Sequence, residues 1–491
     1  MKRLNLLLVV MLISSPILMA GGLKTNTNQS AAWVRTMSRN ATLGIDAVYY
    51  NPAGLSQLNN GLHLSLSNQS IFQTRTVSSD YTYLTGAPVD YEAELTAPLF
   101  PSIYAAYKMD KWTFSAGFNI IGGGGSANFE TGLPDFEIPI SSLVPMLQSS
   151  LAPIDAGLAG AGLPDPGYRA ITGYNLNASF NGTSTYMGYQ FGATYAINDM
   201  ISVAIGGRVV TASNSYEGAL ENITVDAPQV YGGTQSAGDY LRTVAENPFL
   251  DAGTIGMLQA TAGALDVATA DAQLKASQKG TGFAPIIGVN LHLSDMLNLA
   301  VKYEHHTKIE LTNDTEVDDV SMFPDGEKVR ADLPGLLAFG AQINPLKKLS
   351  LTGSFNYYLD KSAYYGNTNE SGEQIDNELS IDENGYTWAF SAEYKLISIL
   401  GVSAGYTGGN NGVNDNYQSG ITYGLKSSSW GAGVFVNVTE KIQINAGFSA
   451  TSYDDYSHSK SYDLAPGLSV PYADGYGKAT KMFAVGVDIS L

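Results

Sequence analysis

The sequence contains no cysteine. Disulfide bonds, thiolate metal ligands and a cysteine nucleophile are therefore excluded. Charged residues are also scarce, at 14% of the chain, whereas an ordinary soluble domain has about 25%. Basic residues are the rarer sign, with 26 Lys and Arg against 45 Asp and Glu. A protein that follows a phosphate backbone needs the opposite balance, so we predict no nucleic-acid partner.

Long hydrophobic runs are missing beyond the N-terminus. There, Lys2 and Arg3 precede the apolar run from Leu6 to Ile13, and a small residue, Ala20, ends the segment. This order is typical of a secretory signal peptide, which we assign to residues 1–20. The run is short for the roughly 20 residues of a membrane-spanning helix. Any later membrane crossing must therefore use strands.

Glycine and tyrosine are abundant instead, and apolar residues often alternate with small or polar ones. The chain has 53 Gly and 30 Tyr, a composition that favours short strands and turns over long helices. Apolar residues alternate with small or polar ones from Ile103 to Met109 and again from Trp112 to Ile120. Only two residues separate these runs, which predicts a hairpin with a tight turn.

The same unit recurs along the chain. Further hairpins are predicted at 187–209, 287–303, 337–359, 386–406 and 430–450, with single strands beginning at Leu62 and Phe483. The tight turns alternate with long loops, predicted at roughly residues 72–99, 121–183, 211–280, 305–335, 360–385, 408–428 and 453–478. An even strand number with short turns at one end and long loops at the other is typical of outer-membrane barrels. We predict an all-β fold, a 14-stranded antiparallel transmembrane β-barrel.

The charges fall on one register of these strands. The apolar register carries no Asp, Glu, Lys or Arg, and the opposite register holds Lys108, Arg208, Lys302, Glu304, Glu393, Lys395 and Asp488. Because a Lys or Arg facing lipid at the midplane costs about 2–4 kcal/mol, this pattern fits a lipid-facing exterior. The alternative is a soluble β-sandwich, which would seldom have such a turn asymmetry.

The segment before the first strand does not alternate. Residues 21–60 contain a polar run and the sequence Asn51-Pro52-Ala53-Gly54-Leu55. A barrel of this size encloses more space than its own wall side chains fill. We therefore predict that residues 21–60 form a plug inside the lumen, and that residues 61–491 form the barrel.

These features together resemble the FadL/TodX family of outer-membrane transporters for long-chain fatty acids and other hydrophobic compounds. The run from Thr25 to Gln29 followed by Asp46 to Leu55 resembles the version found in Bacteroidetes-type bacteria. The resemblance implies passive transport by loop capture, lumen binding, rearrangement of the plug (the hatch) and sideways escape at a kinked strand. It also implies an outer-membrane location among its lipids, folding by the barrel-assembly machinery, a monomer and no cofactor.

Residue roles follow from the same resemblance. Asn51 would supply hydrogen bonds that fix the hatch, Pro52 would stiffen it, and Ala53, next to Gly54, would allow close packing. Candidate ligand contacts in two long loops are Phe136, Ile138, Leu143, Met146, Phe249, Met257 and Leu258. The alternative for these residues is packing of loop helices over the barrel mouth, since residues 256–275 are predicted to be helical. The third strand, residues 111–121, has no evident break, so no lateral exit is predicted there.

Two other functions stay open. Lumen-facing Ser, Gly, Asn and Gln would permit a general or substrate-specific diffusion porin. The sequence Gly401-Val402-Ser403-Ala404-Gly405 matches a hydrolase nucleophile motif, but it lies within an alternating strand and not at a strand-to-helix turn. Glu304-His305-His306 lacks a matching cluster of metal ligands. We therefore predict neither an enzyme nor a metal site.

Overall fold

Alternating side chains build the wall of a closed barrel. In the computed structural model the described residues are 25–84, 86–130, 132–228, 233–365, 377–465 and 468–491, so the predicted signal peptide lies outside them. Within these ranges, eighteen strands form one antiparallel sheet. Pairing of the first strand with the last, from His63–Ser490 to Ser79–Asp474, closes the ring.

Fourteen strands form the ring. They are β1 (Gly61–Ser79), β2 (Val89–Met109), β3 (Trp112–Phe129), β4 (Gly173–Ala196), β5 (Ile201–Ala227), β7 (Ala272–Ser294), β8 (Leu297–Glu304), β11 (Gly335–Leu346), β12 (Leu349–Leu359), β13 (Tyr386–Ile397), β14 (Leu400–Asn410), β15 (Ser427–Asn437), β16 (Ile442–Tyr453) and β18 (Leu468–Ser490). The remaining strands extend the wall beside them: β6 (Gly233–Gln235), β9 (Glu310–Asp318), β10 (Lys328–Arg330) and β17 (Tyr456–Ala465).

The predicted strand number, hairpins and antiparallel barrel are confirmed. The predicted loop bounds are wrong, because β1 runs on to Ser79 and β5 runs on to Ala227. The wall continues beyond the lipid, where the outer face meets water and needs no apolar side chains. Hydrophobic alternation therefore marks only the membrane belt of each strand. The helix predicted at 256–275 also differs, since it spans Ala252–Ala268 and β7 starts at Ala272.

The outer face of the belt is apolar. Large hydrophobic side chains such as Phe191, Ile205 and Phe390 are exposed there, whereas Arg208 and Lys302 on the other register are buried. This distribution is that of a barrel surrounded by lipid. None of the helices in the described ranges is long and apolar enough to cross a membrane.

The N-terminal residues 25–60, here called the lumen segment, cross the interior of the ring. They contain α1 (Ala31–Thr36), α2 (Ala47–Tyr50) and a 3₁₀ helix (Pro52–Gln57). The segment touches all fourteen wall strands. Its own side chains and the inward faces of the wall form buried apolar clusters, with Val48, Tyr49 and Leu55 at the centre of one of them.

Helices cover the outer end of the barrel. They are α3 (Pro134–Ser141), α4 (Leu143–Gly160), α5 (Ala237–Ala245) and α6 (Ala252–Ala268), which we call the cap. A buried core including Leu147, Leu151, Tyr240 and Leu265 holds them together. The polypeptide thus encloses the lumen from within and from above.

Inward-facing glycines let the lumen segment lie directly on the wall. A Cβ atom at Gly405 would overlap the Thr36 carbonyl, and one at Gly431 would overlap the Val34 carbonyl. A Cβ at Gly447 would lie 2.9 Å from the Arg35 nitrogen. The wall is therefore shaped for the α1 backbone, a fit that side-chain alternation alone does not indicate.

We expect Gly431→Ala to displace α1. Overpacking of this kind costs about 1–3 kcal/mol, so amide hydrogen exchange of residues 31–36 should accelerate about tenfold. The control is Gly353→Ala on the lipid face, where the nearest atoms lie at 3.6 Å. Unchanged exchange in Gly431→Ala would contradict the close fit.

Candidate functional site: an opening in the barrel wall

The ladder between β2 and β3 is interrupted. The two strands pair from Met109–Trp112 to Ser102–Asn119, and then only at Glu94–Asn128. The residues between these pairs, 95–101 of β2 and 120–127 of β3, have no ladder partners across this edge. On their other sides, β2 still pairs with β1 and β3 still pairs with β4. The wall therefore has an opening confined to one pair of strands.

Proline and glycine explain the interruption. Pro98 and Pro101 have no N–H to donate to β3. On β3, Gly123 and Gly124 have φ angles of 61° and 101°, which favour glycine, and the register with β4 shifts twice near them. Our expectation that the third strand has no break was wrong, because the glycine run was read as the start of a loop.

The lumen segment bonds to the unpaired backbone of β3. The Asn26 backbone N–H donates to Ile121 O at 2.7 Å, and Asn26 Nδ2 donates to Gly123 O at 3.0 Å. Gln29 Nε2 donates to Ile120 O at 2.9 Å. These donors take the place of the N–H groups that a β2 ladder would supply, so β3 carbonyls that would otherwise lack partners are satisfied.

A different side chain forms hydrogen bonds with the unpaired backbone of β2. Asn68 on β1 donates from Nδ2 to Pro98 O at 3.0 Å and accepts the Phe100 N–H at 2.9 Å. The register between these strands shifts at this point, which leaves Leu99 bulged outward and 74% exposed. The edge of the opening is thus stable without the β3 ladder and presents an apolar side chain to the lipid.

Apolar side chains fill the opening from inside. Phe100 packs with Ile71, Ile120 and Met482, and Trp33 of α1 lies against this cluster. The Phe100 ring lies over Gly124, where an added Cβ would come within 2.7 Å of it. Aromatic and aliphatic groups, and not water, therefore separate the lumen from the lipid at this point.

Ion pairs anchor α1 to the opposite wall. Arg35 forms an ion pair with Glu393 and donates to Asn445 Oδ1 at 2.9 Å and to Ser403 Oγ at 3.1 Å. Ser403 therefore lies mid-strand as a hydrogen-bond partner of the lumen segment. The predicted lumen register of Glu393 is thereby explained, since its carboxylate compensates a buried guanidinium.

A second network holds α2. Arg208 and Glu304 form a bidentate pair at 2.8 and 3.0 Å, and Lys302 Nζ donates to Glu304 at 2.6 Å and to the Tyr49 carbonyl at 2.7 Å. The Tyr49 ring lies 4.9 Å below the Arg208 guanidinium. Both cations have Glu304 as a carboxylate partner, and the Tyr49 ring covers them.

The predicted hatch motif lies at the end of the segment. Asn51 Nδ2 donates to Asn290 Oδ1 at 2.8 Å and to Thr42 O at 3.0 Å. Wall hydroxyls bond to the next two carbonyls, with Thr194 on Pro52 and Ser202 on Ala53. At Gly54 a Cβ would meet the Asn51 amide, so the motif closes on itself.

The predicted ligand contacts divide into packed and exposed residues. Leu143 and Leu258 are buried in the packing of the cap helices, and Met146 is partly buried against it. Ile138 is buried with Tyr81 and Leu84, and Phe136 is partly buried against a cluster of mainly wall residues. Phe249 and Met257 are 67% and 46% exposed on the outside of the cap. Cap and opening are therefore separate places, and the structure does not bring these residues together with the hatch motif.

Sequence analysis gave no site role to Pro98, Pro101, Trp33, Asn26 and Gln29, although Asn26 and Gln29 lie in the run that carried the family resemblance. Two prolines just before the alternating run that begins at Ile103 were a usable signal, because proline is confined to edges and bulges of sheets. Four successive glycines opposite them were a second signal. No local pattern marks Trp33 or Gln29, whose partners lie far away along the chain.

Fold and site define a membrane-spanning β-barrel with an internal N-terminal segment and a break in its wall. Among solved structures the chain is similar to a Pseudomonas aeruginosa FadL homologue, with a TM-score of 0.60 and 12% identity over 97% of this chain and 100% of that one. It is also similar to the Pseudomonas putida toluene transporter TodX, with a TM-score of 0.55 and 12% identity over 96% and 100%.

A third similar structure is the Ralstonia pickettii toluene transporter TbuX, with a TM-score of 0.50 and 12% identity over 93% of this chain and 97% of that one. No protein-family model matches the chain, and no curated protein sequence matches it. The predicted resemblance to the FadL/TodX fold and the outer-membrane location are confirmed at the level of the fold. The Bacteroidetes-type version stays a prediction.

The docking of α3 should depend on pH through Asp135. Its carboxylate accepts the Gly420 N–H at 2.9 Å and lies near the ion pair of Lys460 with Asp474. Burial raises the pKa of Asp135; Lys460 opposes this rise and Asp474 adds to it. Because the folded pKa lies above the ordinary value of 3.8, the stabilisation is complete below about pH 4 and is lost as pH rises through the folded pKa.

We expect hydrogen-exchange protection of α3, corrected for intrinsic rates, to fall at least about threefold from pH 4 to pH 7. Asp135→Asn should flatten this profile, because the amide does not titrate and still offers an oxygen to Gly420. Asp199→Asn in the exposed β4–β5 turn is the matched control. The same slope in wild type and Asp135→Asn would contradict the assignment.

Proposed function

We propose that the chain moves a small hydrophobic or amphipathic compound across an outer membrane, and that the compound leaves the lumen sideways between β2 and β3. The observation that carries this proposal is the missing ladder between residues 95–101 and 120–127, next to a removable internal segment. Outer-membrane transport of hydrophobic compounds is also supported by the fold shared with TodX and TbuX, which are described as toluene transporters.

A sideways exit suits such a compound. Each CH₂ group removed from water gains about 0.8 kcal/mol, so transfer from an apolar contact to lipid needs no other energy source. Phe100 lines the route inside, and Leu99 continues it outside. A polar solute would gain nothing by this route. The long-chain fatty acid implied by the family resemblance stays a prediction within this class.

The lumen segment acts as the hatch in this proposal. For the opening to be used, Asn26 and Gln29 must release the β3 carbonyls and Trp33 must leave the Phe100 cluster. The bonds to be broken are hydrogen bonds between neutral groups, each worth about 0.5–1.5 kcal/mol net. Binding of a ligand can supply that amount, whereas separating Arg35 from Glu393 would cost more.

A disulfide between Ala31→Cys and Ser67→Cys should stop transport. The Ala31 N–H donates to Ser67 Oγ at 3.3 Å, and Ala31 begins α1 two residues before Trp33, so the bond would hold Trp33 in place. Because the chain has no other cysteine, only this pair can form. We expect uptake of toluene, radiolabelled oleate or radiolabelled 1-octanoylglycerol, whichever the wild type carries, by cells lacking other transporters to fall at least about tenfold and to recover with reductant.

The control is Asn437→Cys with Gln443→Cys, which joins β15 to β16 where the two side chains hydrogen-bond at 2.8 Å and leaves the lumen segment free. Uptake should be normal in the control under oxidising conditions. Normal uptake by the oxidised Ala31–Ser67 variant would contradict a moving hatch.

Ion conductance separates this proposal from the diffusion porin. Because the lumen segment contacts every wall strand, we expect little steady conductance in planar bilayers. Deleting residues 21–55 should raise it. Steady conductance by the intact chain, unaffected by this deletion, would favour the porin.

A further inference from the structure

A cavity of about 180 Å³ lies between the lumen segment and the wall from β12 to β16. We call it the lumen cavity. A cavity of about 150 Å³ can hold a benzene molecule, so this one has room for a group of about six heavy atoms.

Uncharged polar groups dominate its lining. Amide side chains come from both sides, and hydroxyls come from the wall: Asn28, Asn40, Asn356, Thr387, Ser429 and Thr451. Four rings complete it, from Trp33, Tyr358, Trp388 and Tyr453. Amides and hydroxyls each donate and accept, so they match a ligand that also does both. Aromatic faces beside such groups suit the C–H faces of a polyol or sugar.

Charge is almost absent from the lining. Of the described residues around the lumen cavity, only Arg39 carries a charge. Asp46 binds that guanidinium through two hydrogen bonds, from Nε and from Nη2, each of 2.7 Å. A carboxylate entering the cavity would therefore compete with Asp46 for the one cation of the described lining.

An alkyl chain is also a poor occupant. Water in a polar cavity bonds to the lining, and an apolar group that displaces it leaves those amides and hydroxyls unpaired. Sites built to bond hydroxyl groups reject analogues that lack them by large factors. The chemistry of the lining thus favours neither the head of a fatty acid nor a hydrocarbon.

We propose that the lumen cavity binds the uncharged, hydroxyl-bearing head of an amphiphile, of the size of glycerol. Trp33 lines the cavity and also packs against the Phe100 cluster. A head in the cavity therefore places its tail toward the opening between β2 and β3. This inference names the substrate class for the proposed transport and rests on it for the direction of the tail.

Tryptophan fluorescence tests the binding. The chain has four Trp; Trp112 and Trp430 are exposed on the outer face, so Trp112→Phe and Trp430→Phe leave as reporters the two that line the lumen cavity, Trp33 and Trp388. The protein in lipid nanodiscs is titrated with 1-octanoylglycerol, octanoate and octane, which share the chain length. We expect saturable binding of 1-octanoylglycerol, at least about tenfold tighter than that of octanoate or octane.

Asn356→Leu should weaken 1-octanoylglycerol binding at least about tenfold, because it removes an amide from the lining. Asn437→Leu, the same change at the far end of β15, should leave it unchanged. Octanoate or octane binding as tightly as the glyceride, or an Asn356→Leu variant of normal affinity, would overturn the inference. Head-selective binding without uptake would instead contradict the transport proposal and leave the cavity assignment standing.

Discussion

In a bilayer every backbone N–H and C=O group must find its partner within the protein, and this constraint governs the whole molecule. A closed ring of strands meets it everywhere except between β2 and β3. There the chain meets it by other means. Asn68 forms hydrogen bonds with the bulge of β2. Asn26 and Gln29 donate hydrogen bonds to the carbonyls of β3. The opening is therefore a site where wall integrity depends on a segment that is not part of the wall.

The lumen segment is held unevenly. From Arg35 to Ser56 its bonds include buried ion pairs and close contacts with wall glycines. Removing one partner of a buried ion pair costs about 3–5 kcal/mol, so this part is expected to stay in place. From Asn26 to Trp33 the described contacts with the wall are neutral hydrogen bonds and apolar packing. Motion confined to this shorter part would expose the opening without unfolding the remainder of the segment.

The number of strands and the direction in which their side chains face were predictable, because every second residue of a strand contacts lipid and that register excludes charged side chains. Arg208 and Glu304 were placed on the lumen side by that rule, although their pairing was not visible in the sequence. The upper wall was misread as loop because water imposes no such alternation. The break in β3 was missed because Gly122–Gly125 follows a normal strand, and the prolines that explain it lie on a neighbouring strand. Pairing between strands is a property of the assembled ring, so it cannot be read from the linear sequence.

The pairing of charges in the lumen also affects which compounds can pass through the opening. Arg35, Arg39, Arg208 and Lys302 each have a carboxylate partner. The interior therefore holds cations without offering them to a ligand. A carboxylate moving sideways past Phe100 would enter lipid either charged, at great cost, or after taking up a proton. An uncharged head avoids both, since its hydroxyl groups can exchange the amides of the lumen cavity for the polar interface of the bilayer. The neutral cavity and the apolar opening thus select the transported compound together. The cavity selects its head group, and the opening selects its apolar tail.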